Sequence, residues 1–192
     1  SSTIQCTREF TLTSVTGTFS ATDTITGQTS GATATVTAWD STNKILTVMN
    51  ETGAFTLTEE VRVNVLNKAT LSSMASTKEY SLASDLSYPL SFRNRSQDYV
   101  ISIIGNEDID LRDPDQSQTG EPNCVVMIGL DSSGNQKVQL YPAPDDSNTI
   151  IDYRYYGYLS DYTSGDDSVE LTQKVPKIQQ PALYLGIAKL YK

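Results

Sequence analysis

Two ten-residue stretches, 36 positions apart, carry one pattern: Thr16-Gly17-Thr18-Phe19-Ser20-Ala21-Thr22-Asp23-Thr24-Ile25 and Thr52-Gly53-Ala54-Phe55-Thr56-Leu57-Thr58-Glu59-Glu60-Val61. Each copy is a glycine turn, a phenylalanine anchor, an acidic residue and the start of an aliphatic strand. Two copies of a hairpin-like unit predict a small closed barrel or sandwich of pseudo-twofold character, because closure removes the open edges that a lone hairpin leaves. Two copies are too few for a solenoid. The surrounding sequence agrees. Of 24 threonines, 18 lie in residues 1–60, where Arg8 and Lys44 are the only basic residues. Threonine-rich, alternating sequence reads as short strands with one wet face. Ala34, Val36 and Ala38 fall on one side of such a strand, Val61, Val63 and Val65 on one side of another, and Lys44 to Met49 forms a third. Turn signals separate them at Gly27-Gln28, Ser30-Gly31, Asp40 to Asn43 and Thr52-Gly53. We therefore expect a β module over residues 1–66, too poor in ionisable groups for chemistry and suited to be a spacer, a stiffener or an interaction surface. The small, polar residues 67–78 read as a linker.

The rest of the chain predicts a second antiparallel β domain over 79–170 and a C-terminal helix over 171–192, so the fold class is mainly β (α+β). Tyr99 to Ile104 and Val125 to Ile128 are apolar strands, and Asn106 to Leu111 is a short acidic helix or turn. Val138 and Leu140 point to one side of a strand that ends at Pro142-Ala143-Pro144, and a second strand puts Ile151, Tyr153 and Tyr155 on one face with Asp152 and Arg154 on the other. The loop between them predicts a hairpin with a stiff, exposed tip. Tyr153 and Tyr155 face the core with hydroxyls at its rim, whereas Tyr156 and Tyr158 fall on the opposite face and suit contact with a partner. In the final helix Leu183, Ile187 and Leu190 share a face and Tyr184, Ala188 and Tyr191 the adjacent one. That segment is apolar over more than half its circumference and has no second helix in the sequence to cover it. It needs a sheet face, a neighbouring chain or a missing part of its own chain. The candidate partner contacts are thus Leu183, Tyr184, Ile187, Leu190, Tyr191, Tyr156, Tyr158, Pro142 and Pro144.

Composition narrows the chemistry. The 192-residue chain has no histidine, which removes Ser-His-Asp and Cys-His catalysis, histidine zinc sites and the usual physiological pH switch. Two cysteines, Cys6 and Cys124, cannot make a Cys₄ metal site and read as free small hydrophobes, a disulfide between them remaining open. A net charge of −9 argues against a general nucleic-acid binder, and it also lets DNA pass a wall without sticking to it. Acidic pairs at Asp113/Asp115, Asp145-Asp146 and Asp166-Asp167 bring calcium and glycoside hydrolysis to mind. Over Asp113 to Gly120 the glycine comes two places late for an EF-hand and no glutamate closes the loop, so solvated turn carboxylates are the better account. Phosphate-cradling glycine loops are absent, and no nucleophile–base pair can be assembled. We expect no enzyme, no cofactor and no metal. With no run of about 18 apolar residues we expect no transmembrane helix and no membrane partner, and no signal peptide is visible. The sequence opens at Ser1, without an initiator methionine, which suggests a processed chain or a fragment.

Across residues 80–192 the order of short motifs is familiar: Tyr80-Ser-Leu-Ala-Ser-Asp85, then Ile109-Asp-Leu-Arg-Asp-Pro-Asp115, Thr119-Gly-Glu-Pro122, Val138-Gln-Leu-Tyr-Pro-Ala-Pro144, Tyr153-Arg-Tyr155 and a closing segment rich in Ala, Leu and Tyr. This resembles the head-to-tail adaptor proteins (neck or head-completion proteins, including the tail tubular A type) of tailed bacteriophages. Their pattern is a Y-x-L-P-x-D opening, a D-P-D…T-G-x-P loop and an L-Y-P-x-P turn. Ala83 stands where the family has its proline, and the chain opens with strands where the family has an N-terminal helical part, which fits an apolar C-terminal helix short of its partner. Residues 10–66 are similar, more loosely, to Thr/Gly-rich β modules inserted into virion proteins.

The resemblance implies a structural virion protein: a head-to-tail connector forming a homo-oligomeric, dodecameric ring below the portal protein, docking the tail or next neck component, and lining a passage for DNA that it does not bind specifically. Assembly would take place in the bacterial cytoplasm and the protein would end in the virion. The alternatives are another virion β protein (decoration, tail or baseplate) or a carbohydrate-binding or adhesion module.

Overall fold

The computed structural model describes residues 2–64 and 66–158. The strands are β1 (Ser2–Gln5), β2 (Arg8–Thr16), β3 (Thr24–Gly27), β4 (Thr33–Asp40), β5 (Ile45–Thr52), β6 (Glu60–Arg62), β7 (Lys68–Ser76), β8 (Glu79–Ser81), β9 (Leu86–Asn94) and β10 (Tyr99–Ile104). A short helix α1 (Asn106–Arg112) follows, then β11 (Thr119–Gly120), β12 (Cys124–Leu130), β13 (Gln136–Tyr141), β14 (Ala143–Pro144) and β15 (Ile150–Gly157).

Six strands close a barrel in the order β2-β5-β4-β3-β6-β7. Exchanging β2 with β5, β3 with β6 and β4 with β7 leaves every pairing in that order unchanged, so the sequence repeat is a structural one and extends over the whole barrel. Gly17 and Gly53 both take a positive φ, +77° and +84°, in the turn that leaves the first strand of each half. A side chain is strained there, which explains why the repeat keeps glycine at both sites. Phe19 and Phe55 are both buried; Phe55 meets Phe10 edge to face at 5.0 Å and Phe19 meets Trp39 at 5.2 Å.

Three expectations change here. Lys68–Ser76 is not a linker but β7, which closes the barrel against β2 and β6 and buries Ala69 and Leu71. A barrel strand needs apolar side chains only on its inner face, so a run of small polar residues suffices for the outer one. In β4 a bulge between Val36 and Ala38 reverses the alternation, leaving Ala38 exposed and turning Trp39 toward the core. The strand expected over 61–65 is limited to Glu60–Arg62.

Seven of the other nine strands form one sheet, β1-β15-β9-β10-β12-β13-β8, antiparallel except for the β10–β12 pair, whose crossover carries α1; β11 and β14 pair separately. One core, with Ile4, Phe92, Ile101, Val125, Val138, Leu140, Ile151 and Tyr153, draws side chains from six strands, and Tyr80 of β8 packs against it. The sheet therefore wraps around its core, and its two edges, β1 and β8, approach each other. Tyr80 ties that seam: its hydroxyl donates to Thr77 O at 2.7 Å and accepts from Thr7 N at 3.2 Å. β1 thus belongs to the second unit rather than to the module expected over 1–66, and the barrel is an insertion that leaves the sheet after one edge strand and returns before the other. Residues 106–112 do form a helix, α1, which buries Ile109 against Cys124, Val126 and Tyr141 on the outside of the sheet. Cys6 and Cys124 are both free and buried. The segment expected to be a C-terminal helix, 171–192, lies outside the described residues. No described helix is long and apolar enough to cross a membrane.

Candidate functional site

The motif residues come first. Thr119–Gly120 and Ala143–Pro144, from two separate motifs, pair in parallel as β11 and β14. Asp113 is buried and its carboxylate accepts Gln118 N at 2.9 Å; Tyr141 donates its hydroxyl to Gln118 Oε1 at 3.1 Å. Asp113, expected to be a solvated turn carboxylate, is instead buried, because it caps its own loop's backbone, which Tyr141 also holds. Among the described residues no three of His, Cys, Asp and Glu gather as metal ligands. In the opening motif, Asp85 accepts the Tyr155 hydroxyl at 2.8 Å, and Ala83 N donates to the Tyr153 hydroxyl at 2.9 Å. These tyrosine hydroxyls reach the rim of the core as their spacing predicts. Tyr155 is pushed up from the ordinary phenol range by its hydrogen bond to Asp85 and by burial.

Pro142 and Pro144 do not form an exposed tip. Pro144 is buried, Pro142 is half-buried after a cis Tyr141–Pro142 peptide, and the following loop folds back onto the barrel. Ser147, fully buried, accepts Glu51 N on its hydroxyl at 3.1 Å and Gln5 Nε2 on its carbonyl at 2.7 Å; Asn148 Nδ2 donates to Glu51 O at 3.0 Å. The Glu51 side chain pairs with Arg8 at 3.2 Å. Nor is there a hairpin: β13 pairs with β12 and β8, and β15 with β1 and β9, so the loop crosses between distant strands of the sheet. It is the joint between the two units, satisfying backbone groups that would otherwise face each other unpaired. Beside this joint a cleft of about 480 Å³ is lined by Arg8, Lys78, Gln116, Gln118 and Asp145.

The tyrosine face is open. Tyr156 is 65% exposed and Tyr158 68%, and Tyr156 stands directly across from the equally exposed Tyr88 of β9. Leu183, Tyr184, Ile187, Leu190 and Tyr191, the other expected contacts, lie outside the described residues.

A second feature shares this outer face. Ser2, Thr3, Ser91, Arg93, Arg95, Val100, Asp152 and Arg154 line a groove of about 270 Å³ on β1, β15, β9 and β10. Arg93 pairs with Asp98, and Arg95 grips Asp152 with two bonds, at 2.9 and 2.5 Å. The alternation in β15 already put Asp152 and Arg154 outward, and Arg93-Asn94-Arg95 gives the same signal at the end of β9. What strand spacing alone could not supply is that β9 and β15 are neighbours. Comparison with protein-family models, with curated proteins and with solved structures gives no match.

Proposed function

We propose that the chain is a structural component of a bacteriophage virion, a head-to-tail connector subunit that assembles as a ring around the DNA passage and joins portal to tail. The observation that carries this is the behaviour of the motifs behind the family resemblance. They are scattered over about 75 residues of sequence, yet Thr119–Gly120 pairs with Ala143–Pro144, and Asp85 receives Tyr155. Separated motifs that hold one another in place suit a single structural frame of the kind the resemblance implies.

Three physical features suit the role. The chain offers two stiff β units fixed to each other through Glu51, Ser147 and Asn148. It presents apolar and aromatic side chains on one outer face, Tyr88, Leu90, Val100, Tyr156 and Tyr158, where another subunit can cover them. Its net charge of −9 gives a lumen that repels phosphate, so that DNA slides through. In this reading the protein has no reaction to catalyse.

The test is negative-stain microscopy of the concentrated full chain together with a retardation assay on duplex DNA. Closed rings with an open centre that leave DNA mobility unchanged support the role. Particles that stay single subunits at every concentration, or rings that retain DNA tightly, contradict it.

A further inference from the structure

The arginine groove has a counterpart elsewhere on the same molecule. Of its three arginines, Arg93 and Arg95 are paired within the chain, while Arg154, exposed on β15, has no ion-pair partner among the described residues. Three arginines against Asp98 and Asp152 leave the groove with an excess positive charge, in a chain of −9 overall. Val100, 71% exposed, lies across from Arg93 in the neighbouring strand and gives the groove an apolar flank. The helix α1 has the opposite character. It buries only Ile109, and its exposed residues include Glu107, Asp108 and Asp110 against the single Arg112, an excess of two negative charges; Glu107 and Asp108 stand one turn before Leu111, which is 84% exposed. Neither carboxylate has an ion-pair partner among the described residues. Residues three and four apart share a helix face, so the two acids flank the leucine.

We propose that α1 of one copy of this chain docks in the arginine groove of the next, Leu111 against Val100 and the Glu107 and Asp108 carboxylates against Arg154 and Arg93. This inference rests on the connector reading and names the contact between its subunits. The groove on β15, β9 and β10 and the helix over β12 and β13 are two different patches of the chain, so docking one on the other is a heterologous, head-to-tail contact, the kind that generates rings when the rotation closes. A charged rim around a small apolar centre also makes it sensitive to salt.

Charge exchange tests this by sedimentation of the full chain at low and at high ionic strength. Wild type is expected to self-associate at low salt and to weaken as salt rises. Arg154→Glu, and separately Glu107→Lys with Asp108→Lys, should each sediment as folded monomers by circular dichroism, and the chain carrying all three changes should associate again. Wild type that stays monomeric at low salt, or a folded triple variant that fails to regain assembly, overturns the inference. If Arg154→Glu still forms rings like wild type, the contact is wrong while the ring stands, which separates this failure from that of the connector role. If Arg154→Glu assembles normally but loses retention of a duplex DNA probe that wild type retains, the groove serves phosphate and the inference falls.

Discussion

The carboxylates of Asp23 and Glu59, 36 residues apart, do the same work in the two halves of the barrel: each accepts the backbone N–H of the residue three places before it, Ser20 at 2.8 Å and Thr56 at 2.7 Å. The halves then diverge. Glu59 is only 4% exposed and also accepts Thr29 N at 3.1 Å, Ser30 N at 2.9 Å and the Ser30 hydroxyl at 2.9 Å. One carboxylate thus pins the β3–β4 loop to the start of β6. Gly27 is part of this clamp, because a Cβ there would stand 2.6 Å from the Glu59 carboxylate.

Removing the two carboxylates should therefore have unequal effects. Glu59→Ala strips several donors of a charged acceptor and should destabilise the chain by about 2–3 kcal/mol, while Asp23→Ala loses a single exposed bond and should cost about 1 kcal/mol or less. Urea unfolding followed by circular dichroism measures both. Equal losses would mean that the β3–β4 clamp contributes nothing.

The pH dependence follows from the same carboxylate. Burial pushes the Glu59 carboxyl up, and the N–H groups of Ser30 and Thr56 with the Ser30 hydroxyl outweigh it, so Glu59 ends below the ordinary carboxylate range. A group depressed in the folded state contributes stability above its unfolded value, about 4.3 for glutamate, and loses it as pH falls through the folded value. Glu59→Gln should thus be less stable than wild type at pH 7, and the gap should narrow steadily below about pH 4.3. Melting temperatures across pH 3 to 7 test this; a gap that widens in acid would reverse the sign.

The sheet seam depends on Tyr80, whose hydroxyl joins Thr7 and Thr77 where the barrel leaves and re-enters. Burial, with the nearby Cys6 adding to it, pushes this phenol above its ordinary range, in keeping with a hydroxyl that stays neutral and bonded. Tyr80→Phe keeps the ring and leaves Thr7 N without its acceptor. The expected loss is about 1–2 kcal/mol, with faster proteolysis near 7 and 77. Unchanged stability and cleavage would show that the seam does not depend on this hydroxyl.

Cys6 is fully buried and burial pushes its thiol up to about 12; Cys124 is buried as well. Thiol reagents must reach the sulfur, so both buried cysteines should be unreactive in the native chain and both should react in denaturant. A thiol that reacts at once under native conditions would contradict this packing.

The barrel was legible in the sequence because its information is local: a glycine, a phenylalanine, an acid and an aliphatic residue at fixed spacing, twice. What stayed hidden was non-local. Lys68–Ser76 looks like a linker until Ala69 and Leu71 are placed inside a closed barrel, and Ile4 gives no sign that β1 pairs with β15 at the far end of the described chain. β9 is masked by Pro89, which the sheet accommodates where its register with β15 shifts. At the candidate contacts, the outward faces of Tyr156 and Tyr158 were readable from strand spacing. The burial of Pro144 was not, since it depends on β11 and on the joint at Glu51 and Ser147.

The most direct test of the connector role is a low-resolution map of a phage particle containing the chain. The account predicts a ring of repeated two-lobed β density, barrel and wrapped sheet, encircling the DNA at the vertex where head meets tail. Density for the chain on the capsid faces or along the tail shaft instead, with that vertex ring built from other material, would contradict it.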